Sequence, residues 1–91
     1  MAERHKSAIK RHRQSLTRAA RNQMVRTQVR HAVRGLRESI ARKETDTLDA
    51  QLRAVMKTVN KAVTKGVLHR NNAARRIARL SRQVAASKAA S

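Results

Sequence analysis

Apolar residues in the middle of the chain recur at helical spacing. Between residues 25 and 40 the apolar positions are Val25, Val29, Ala32, Val33, Leu36 and Ile40. On a helical wheel they fall within a stripe of roughly 100°, the width expected of a helix that packs one face on a core. The pattern predicts a first helix over about residues 7–42. Gly35 lies inside that helix, at a cost of about 1 kcal/mol relative to alanine.

The hydrophobic stripe stops near residue 24, although helix-forming residues continue upstream. Extended toward the N-terminus, the same stripe meets Arg11, Arg18 and Asn22. Ile9 and Leu16 fall on about the opposite side of the wheel. A helix that is basic all round has no apolar face to bury. We therefore expect residues 1–24 to project from the bundle as an arm.

A second amphipathic segment follows a stretch rich in acidic residues. Its apolar stripe spans roughly 120° and consists of Leu48, Leu52, Val55, Met56, Val59, Ala62 and Val63. The pattern predicts a helix over about residues 47–65 with these side chains in the core. Asp46 or Thr45 is expected to cap its first turn. Gly66 suits the position after the helix, where a left-handed residue ends it.

A third segment completes an all-α fold. Ala73, Ile77, Leu80 and Val84 share one face, which predicts a helix over about residues 71–86, capped by Asn71 or Asn72. Residues 87–91 are small and polar and are expected to fray. Short connections favour antiparallel neighbours. The predicted architecture is a single domain, residues 1–91, folded as a three-helix bundle with an extended, basic N-terminal helix.

Charge changes this picture from a bundle to a polyanion-binding bundle. The chain has 23 Lys and Arg against 5 Asp and Glu, a formal net charge of +18. Ten basic residues and one acidic residue lie in residues 1–34, seven and four in 35–66, and six and none in 67–91. Such a chain repels itself unless a polyanion cancels the excess. Arginine, the commoner basic residue here, pairs bidentately with phosphate. The arm and the outer face of the third helix are the expected contact surfaces.

The residues that the chain lacks exclude several classes of function. Without Phe, Tyr, Trp or Cys there are no side chains for stacking single-stranded bases and no thiolates for zinc fingers or disulfides. The histidines His5, His12, His31 and His69 are not spaced as metal ligands. We expect no catalytic site, metal, cofactor or small-molecule substrate, and no segment suited to spanning a membrane.

Two short stretches resemble the bacterial small-subunit ribosomal protein S20 family. Residues 6–13 read KSAIKRHR and are followed by Arg18, Arg21 and Asn22. Residues 65–76 read KGVLHRNNAARR, similar to that family's run of Lys-Gly, two aliphatic residues, His, a basic residue, Asn and Ala-Ala-Arg. Asn72 departs from it, standing where a basic residue is common. Both stretches are in register with the family at this spacing. Chain length, the absence of aromatic residues and the order of helices agree with it across nearly the whole chain.

The resemblance implies a structural protein of the 30S subunit that binds 16S ribosomal RNA and supports assembly, located in the cytoplasm within the ribosome. Its partners would be the 5′ domain, the long 3′ minor-domain helix and other small-subunit components. By position, the implied contacts on the first helix are Lys6, Ser7, Lys10, Arg11, Arg13, Arg18, Arg21 and Asn22. Those on the second surface are Lys65, His69, Arg70, Asn71, Arg75 and Arg76, to which the helical wheel adds Arg79 and Arg82.

Two other classes of function compete with this interpretation. Composition permits a non-specific basic helical protein that coats nucleoid DNA, although we find no recognisable DNA-binding motif. A cationic helix that binds membrane surfaces is the other alternative. The membrane interpretation fits less well because the strongly basic arm has the weakest apolar stripe.

Overall fold

The computed structural model describes the backbone of residues 2–90 and the side chains of residues 6–90. It contains three helices, α1 (Ala2–Ala41), α2 (Leu48–Thr64) and α3 (Arg70–Ala90), with a 3-10 turn at Thr45–Thr47 before α2. The described residues contain no strand. The predicted all-α class and the order of one long and two shorter helices are confirmed.

Two helices extend beyond their predicted ends. Helix α1 begins at Ala2 and not near Ser7, and α3 continues to Ala90 where fraying was expected after residue 86. Alanine and the long charged residues that fill both extensions are strong helix formers. In α3, Lys88 also donates to the Asp49 carboxylate at the start of α2, with Nζ 2.6 Å from Oδ2. This contact shows that α2 and α3 run antiparallel.

The core is a small cluster to which all three helices contribute. Its buried members are Val25, Val29, Val33, Leu36, Leu48, Val55, Val59, Ala62, Ala73, Leu80 and Val84. Helix α2 packs against both of its neighbours, whereas α1 and α3 touch each other less. The prediction that Met56 belongs to the core is wrong, because this side chain is only partly buried and lies outside the cluster.

The first two helices end with the same hydrogen-bonded motif. After α2, the Gly66 amide donates to the Val63 carbonyl at 2.9 Å and the Val67 amide to the Ala62 carbonyl at 3.0 Å. This is the Schellman arrangement, and the φ of 75° at Gly66 confirms the predicted left-handed residue. After α1 the equivalent left-handed residue is Lys43, with a φ of 59°.

The predicted N-cap of α2 is wrong. The chain forms a 3-10 turn at Thr45–Thr47, so Thr47 becomes the cap residue and neither Asp46 nor Thr45 holds that position. Thr47 makes no side-chain capping bond. Its hydroxyl instead donates to the Glu44 carbonyl at 3.3 Å and accepts from the Gln51 amide at 2.8 Å. The acidic stretch therefore forms the turn between α1 and α2.

The molecule is elongated because α1 is longer than the bundle. Its principal extents are 69 × 22 × 14 Å and its radius of gyration is 18.5 Å. A compact chain of this length would have a radius of gyration of about 12 Å. Forty residues of α-helix span about 60 Å, which accounts for the long axis. Within α1 the first buried residue described is Val25.

Candidate nucleic-acid interface

The described part of the N-terminal half of α1 is exposed along nearly its whole length. All described side chains from Lys6 to Arg21 are exposed, and Asn22 is partly buried. The predicted arm includes Met1, which lies outside the described residues. Ile9, Leu16 and Met24 are large apolar residues that are 45%, 59% and 57% exposed. This part of the helix therefore has no buried hydrophobic stripe.

Helical spacing brings some of the predicted arm residues together and separates others. Arg11, Arg18 and Asn22 line one shallow groove of about 400 Å³, together with Gln14 and Ser15. Lys6, Lys10, Arg13 and Arg21 lie outside that groove. Sequence reasoning missed Gln14 and Ser15, although their positions three and four residues after Arg11 place them on the same face.

His69 immediately precedes α3 and caps its first turn. Its Nδ1 accepts a hydrogen bond from the Asn71 amide at 3.1 Å, and its carbonyl accepts from the Ala73 amide at 3.1 Å. The prediction that Asn71 or Asn72 caps α3 is wrong, because the helix starts at Arg70 and both asparagines lie inside its first turn. Since Nδ1 accepts, the imidazole proton resides on Nε2, where it is available as a donor.

The basic residues of α3 and of the turn before it are exposed as a group. Those among the predicted contacts are Lys65, Arg70, Arg75, Arg76, Arg79 and Arg82, and Asn71 is exposed beside them. Lys88, near the end of α3, is exposed as well. Arg76 has a defined position because its Nε donates to Asn72 Oδ1 at 2.7 Å. Asn72 therefore contacts the guanidinium of an arginine one helical turn further along α3.

A further basic cluster lies between α1 and α3, where the sequence analysis placed none. A cleft of about 590 Å³, here called the α1–α3 cleft, is lined by Thr27, Arg30, His31, Val33, Arg34, Arg37, Glu38, Ala41 and Arg76. Arg30, Arg34 and Arg37 follow the i, i+4, i+7 spacing of one helix face. That spacing is readable in the sequence, whereas the approach of Arg76 from α3 is not.

In the part of the chain whose side chains the structure describes, few of the basic residues form an ion pair with an acidic residue. Among the described side chains, ion pairs join Arg34 to Glu38 at 3.3 Å, Arg42 to Glu44 at 2.9 Å and Lys88 to Asp49 at 2.6 Å. None of these basic residues belongs to the predicted RNA contacts. The hydrogen bond from Lys88, helped by its charge, lowers the pKa of Asp49 below the ordinary value of 3.8.

Two other kinds of site are absent from the residues that the structure describes. No three His, Asp or Glu side chains lie close enough together to hold a metal ion. None of the helices has a stretch that is both long and apolar enough to cross a membrane. What the surface offers chemically is a set of exposed guanidinium, ammonium and amide donors.

Comparison with known proteins places the chain in a family. The family model for ribosomal protein S20 matches residues 3–85. The small ribosomal subunit protein bS20 of Oleidesulfovibrio alaskensis is 48% identical over 80 residues, which cover 88% of this chain and 92% of that protein. The protein of the same name from Anaeromyxobacter dehalogenans is 51% identical over 84 residues, covering 92% and 91%.

The match extends over the arm, the bundle and nearly all of α3, so it is not confined to one motif. Proteins of this family are structural, non-enzymatic components of the ribosome in the cytoplasm. The chain belongs to the ribosomal protein S20 family.

Proposed function

We propose that this protein binds 16S ribosomal RNA directly within the small subunit and supports subunit assembly. The observation that carries the proposal is the N-terminal half of α1, a helix whose described side chains from Lys6 to Arg21 are all exposed. A helix with no tertiary support and with high positive charge is expected to find its stabilising partner in a polyanion. Membership of the ribosomal protein S20 family points to ribosomal RNA as that polyanion.

The proposed contacts form two surfaces. On the arm they are Lys6, Ser7, Lys10, Arg11, Arg13, Arg18, Arg21 and Asn22. On the second surface they are Lys65, His69, Arg70, Asn71, Arg75, Arg76, Arg79 and Arg82. His69 would combine capping of α3 through Nδ1 with donation from Nε2 to a phosphate or ribose hydroxyl.

Recognition would rely on the shape of the RNA and the placement of its phosphates. The deep, narrow major groove of A-form RNA is closed to side chains, and this chain has no aromatic residues for stacking on unpaired bases. A rigid helix with donors on all sides can lie between RNA helices and screen both backbones. We propose the 5′ domain and the long 3′ minor-domain helix as the RNA partners, with other small-subunit components as neighbours.

The test is an affinity comparison across a salt series. The full chain is titrated against a protein-free 5′-domain transcript, a length-matched unrelated structured RNA and duplex DNA. All affinities should fall with salt because each phosphate contact releases counterions. We expect the 5′-domain transcript to keep a large advantage at high salt. Coincident curves for the two RNAs would contradict the proposal, and equal affinity for DNA would favour the nucleoid alternative.

A further inference from the structure

The α1–α3 cleft carries an inference about where RNA is held on the bundle itself. It brings Arg30, Arg34 and Arg37 of α1 to the same cleft as Arg76 of α3, against the single acidic residue Glu38. Four arginines around one carboxylate leave this cleft with an excess of positive charge in the free protein. The cleft therefore has a strong preference for an anion of more than one charge.

Two of these arginines each contact another side chain of the protein through Nε. Arg34 Nε lies 3.3 Å from Glu38 Oε1, and Arg76 Nε donates to Asn72 Oδ1 at 2.7 Å. A guanidinium has five N–H donors, and engaging Nε leaves the four donors of the two Nη atoms for another ligand. Arg34 is 80% exposed, so its ion pair adds little stability. The contact places the Arg34 guanidinium beside Glu38 at the cleft.

We propose that the α1–α3 cleft binds the RNA phosphodiester backbone. Arg34 of α1 and Arg76 of α3 would each bind a phosphate bidentately. The inference rests on the proposed function and extends the RNA-binding surface from the arm onto the bundle. Asn72 is a positioning residue for Arg76, because its Oδ1 accepts the hydrogen bond from Arg76 Nε. Holding both guanidinium groups before RNA arrives lowers the conformational entropy lost on binding.

The experiment measures the affinity of the full chain for the 5′-domain transcript across a salt series. Arg34→Ala and Arg76→Ala are compared with Arg53→Ala, an exposed arginine on α2 outside the cleft. We expect each cleft variant to bind about tenfold more weakly and to lower the salt slope by about one. The control should stay within about twofold of the unmodified protein. Circular dichroism checks that all variants keep their helices.

A second pair of variants tests the fork and its positioning. Arg76→Lys keeps the charge but cannot bind phosphate bidentately, so it should lose several-fold in affinity with little change in salt slope. Asn72→Ala should weaken binding about threefold in the unmodified protein and have no effect when Arg76 is already alanine. An equal effect of Asn72→Ala in both backgrounds would contradict the positioning role.

The outcomes separate this inference from the proposed function. If the unmodified protein prefers the 5′ domain but both cleft variants bind as Arg53→Ala does, the cleft is not an RNA site and the proposed function stands. If cleft variants bind RNA normally yet fail to enter reconstituted subunits, the cleft contacts a protein and the inference is overturned. If the unmodified protein shows no preference, the proposed function itself fails.

Discussion

The two halves of α1 have the same secondary structure and opposite environments. From Val25 to Ala41 the helix buries Val25, Val29, Val33 and Leu36 against α2 and α3. From Lys6 to Arg21 it buries none of its side chains. Helix-forming residues are enough to give both halves a helical backbone. Only the half with a hydrophobic stripe is stabilised by packing on the bundle. The first half depends on a partner and the second half depends on the bundle.

The largest expected difference between the halves is in stability. Leu36→Ala should lower the free energy of unfolding by about 3 kcal/mol, because Leu36 is 1% exposed and its loss leaves a cavity in a small core. Leu16→Ala, the same substitution at a residue that is 59% exposed, should change it by less than about 0.5 kcal/mol. Urea unfolding followed by circular dichroism measures both. Equal losses would mean that the arm is packed in solution.

RNA affinity should show the reverse difference. The double variant Arg11→Ala/Arg18→Ala removes two arginines from the arm groove and should bind the 5′-domain transcript about 100-fold more weakly. Its urea unfolding should match that of the unmodified protein. The matched control is Arg53→Ala/Lys57→Ala on the exposed face of α2. If the control loses as much affinity as the arm variant, net charge explains binding and the arm has no special role.

Gly35 offers a smaller change, in the half of α1 that packs on the bundle. A Cβ added there meets nothing within 4 Å, so Gly35→Ala should raise the free energy of unfolding by about 1 kcal/mol through helix propensity alone. Gly35 is therefore not required for close packing within the chain. A loss of stability in urea unfolding would show that the added methyl group does meet a neighbour.

The smallest expected effect concerns the ion pair between Asp49 and Lys88. Because this contact lowers the pKa of Asp49 in the folded state, its stabilisation is fully present above the ordinary value of 3.8 and is lost as pH falls through the lowered pKa. Acid unfolding should therefore be less steep for Asp49→Asn than for the unmodified protein. The control is Asp46→Asn in the preceding turn. Identical acid profiles for the two variants would remove Asp49 from the account.

The sequence predicted the bundle well because its signals are periodic. The stripe from Val25 to Ile40 predicted the buried face of α1, and its absence upstream predicted which half would be exposed. Gly66 predicted the end of α2 because few other residues adopt a left-handed conformation without strain. These features depend on spacing and on the properties of single residues, both of which are readable without neighbours.

Other features could not be predicted because they depend on contacts between segments. Lys43 takes a left-handed conformation that a lysine does not favour, and it does so where the chain must turn from α1 into α2. His69 caps α3 through its ring, a role that sequence reasoning gave to the asparagines. Nor could the sequence pair Lys88 with Asp49, which lies in another helix.

The candidate site divides in the same way. Exposure of the basic residues on the arm and on α3 follows from helical faces and was predictable. The α1–α3 cleft was not predicted, because Arg76 joins Arg30, Arg34 and Arg37 only after α3 folds back. Whether each proposed residue contacts RNA stays a prediction until binding is measured.

Amide hydrogen exchange of the free protein and of its complex with the 5′-domain transcript tests the central claim most directly. Amides of residues 25–41 should be protected in both states, since packing in the core stabilises this part of α1. Amides of residues 6–22 should exchange rapidly in the free protein and become protected when RNA binds. Protection of residues 6–22 that is already high in the free protein, or that RNA leaves unchanged, would contradict the account.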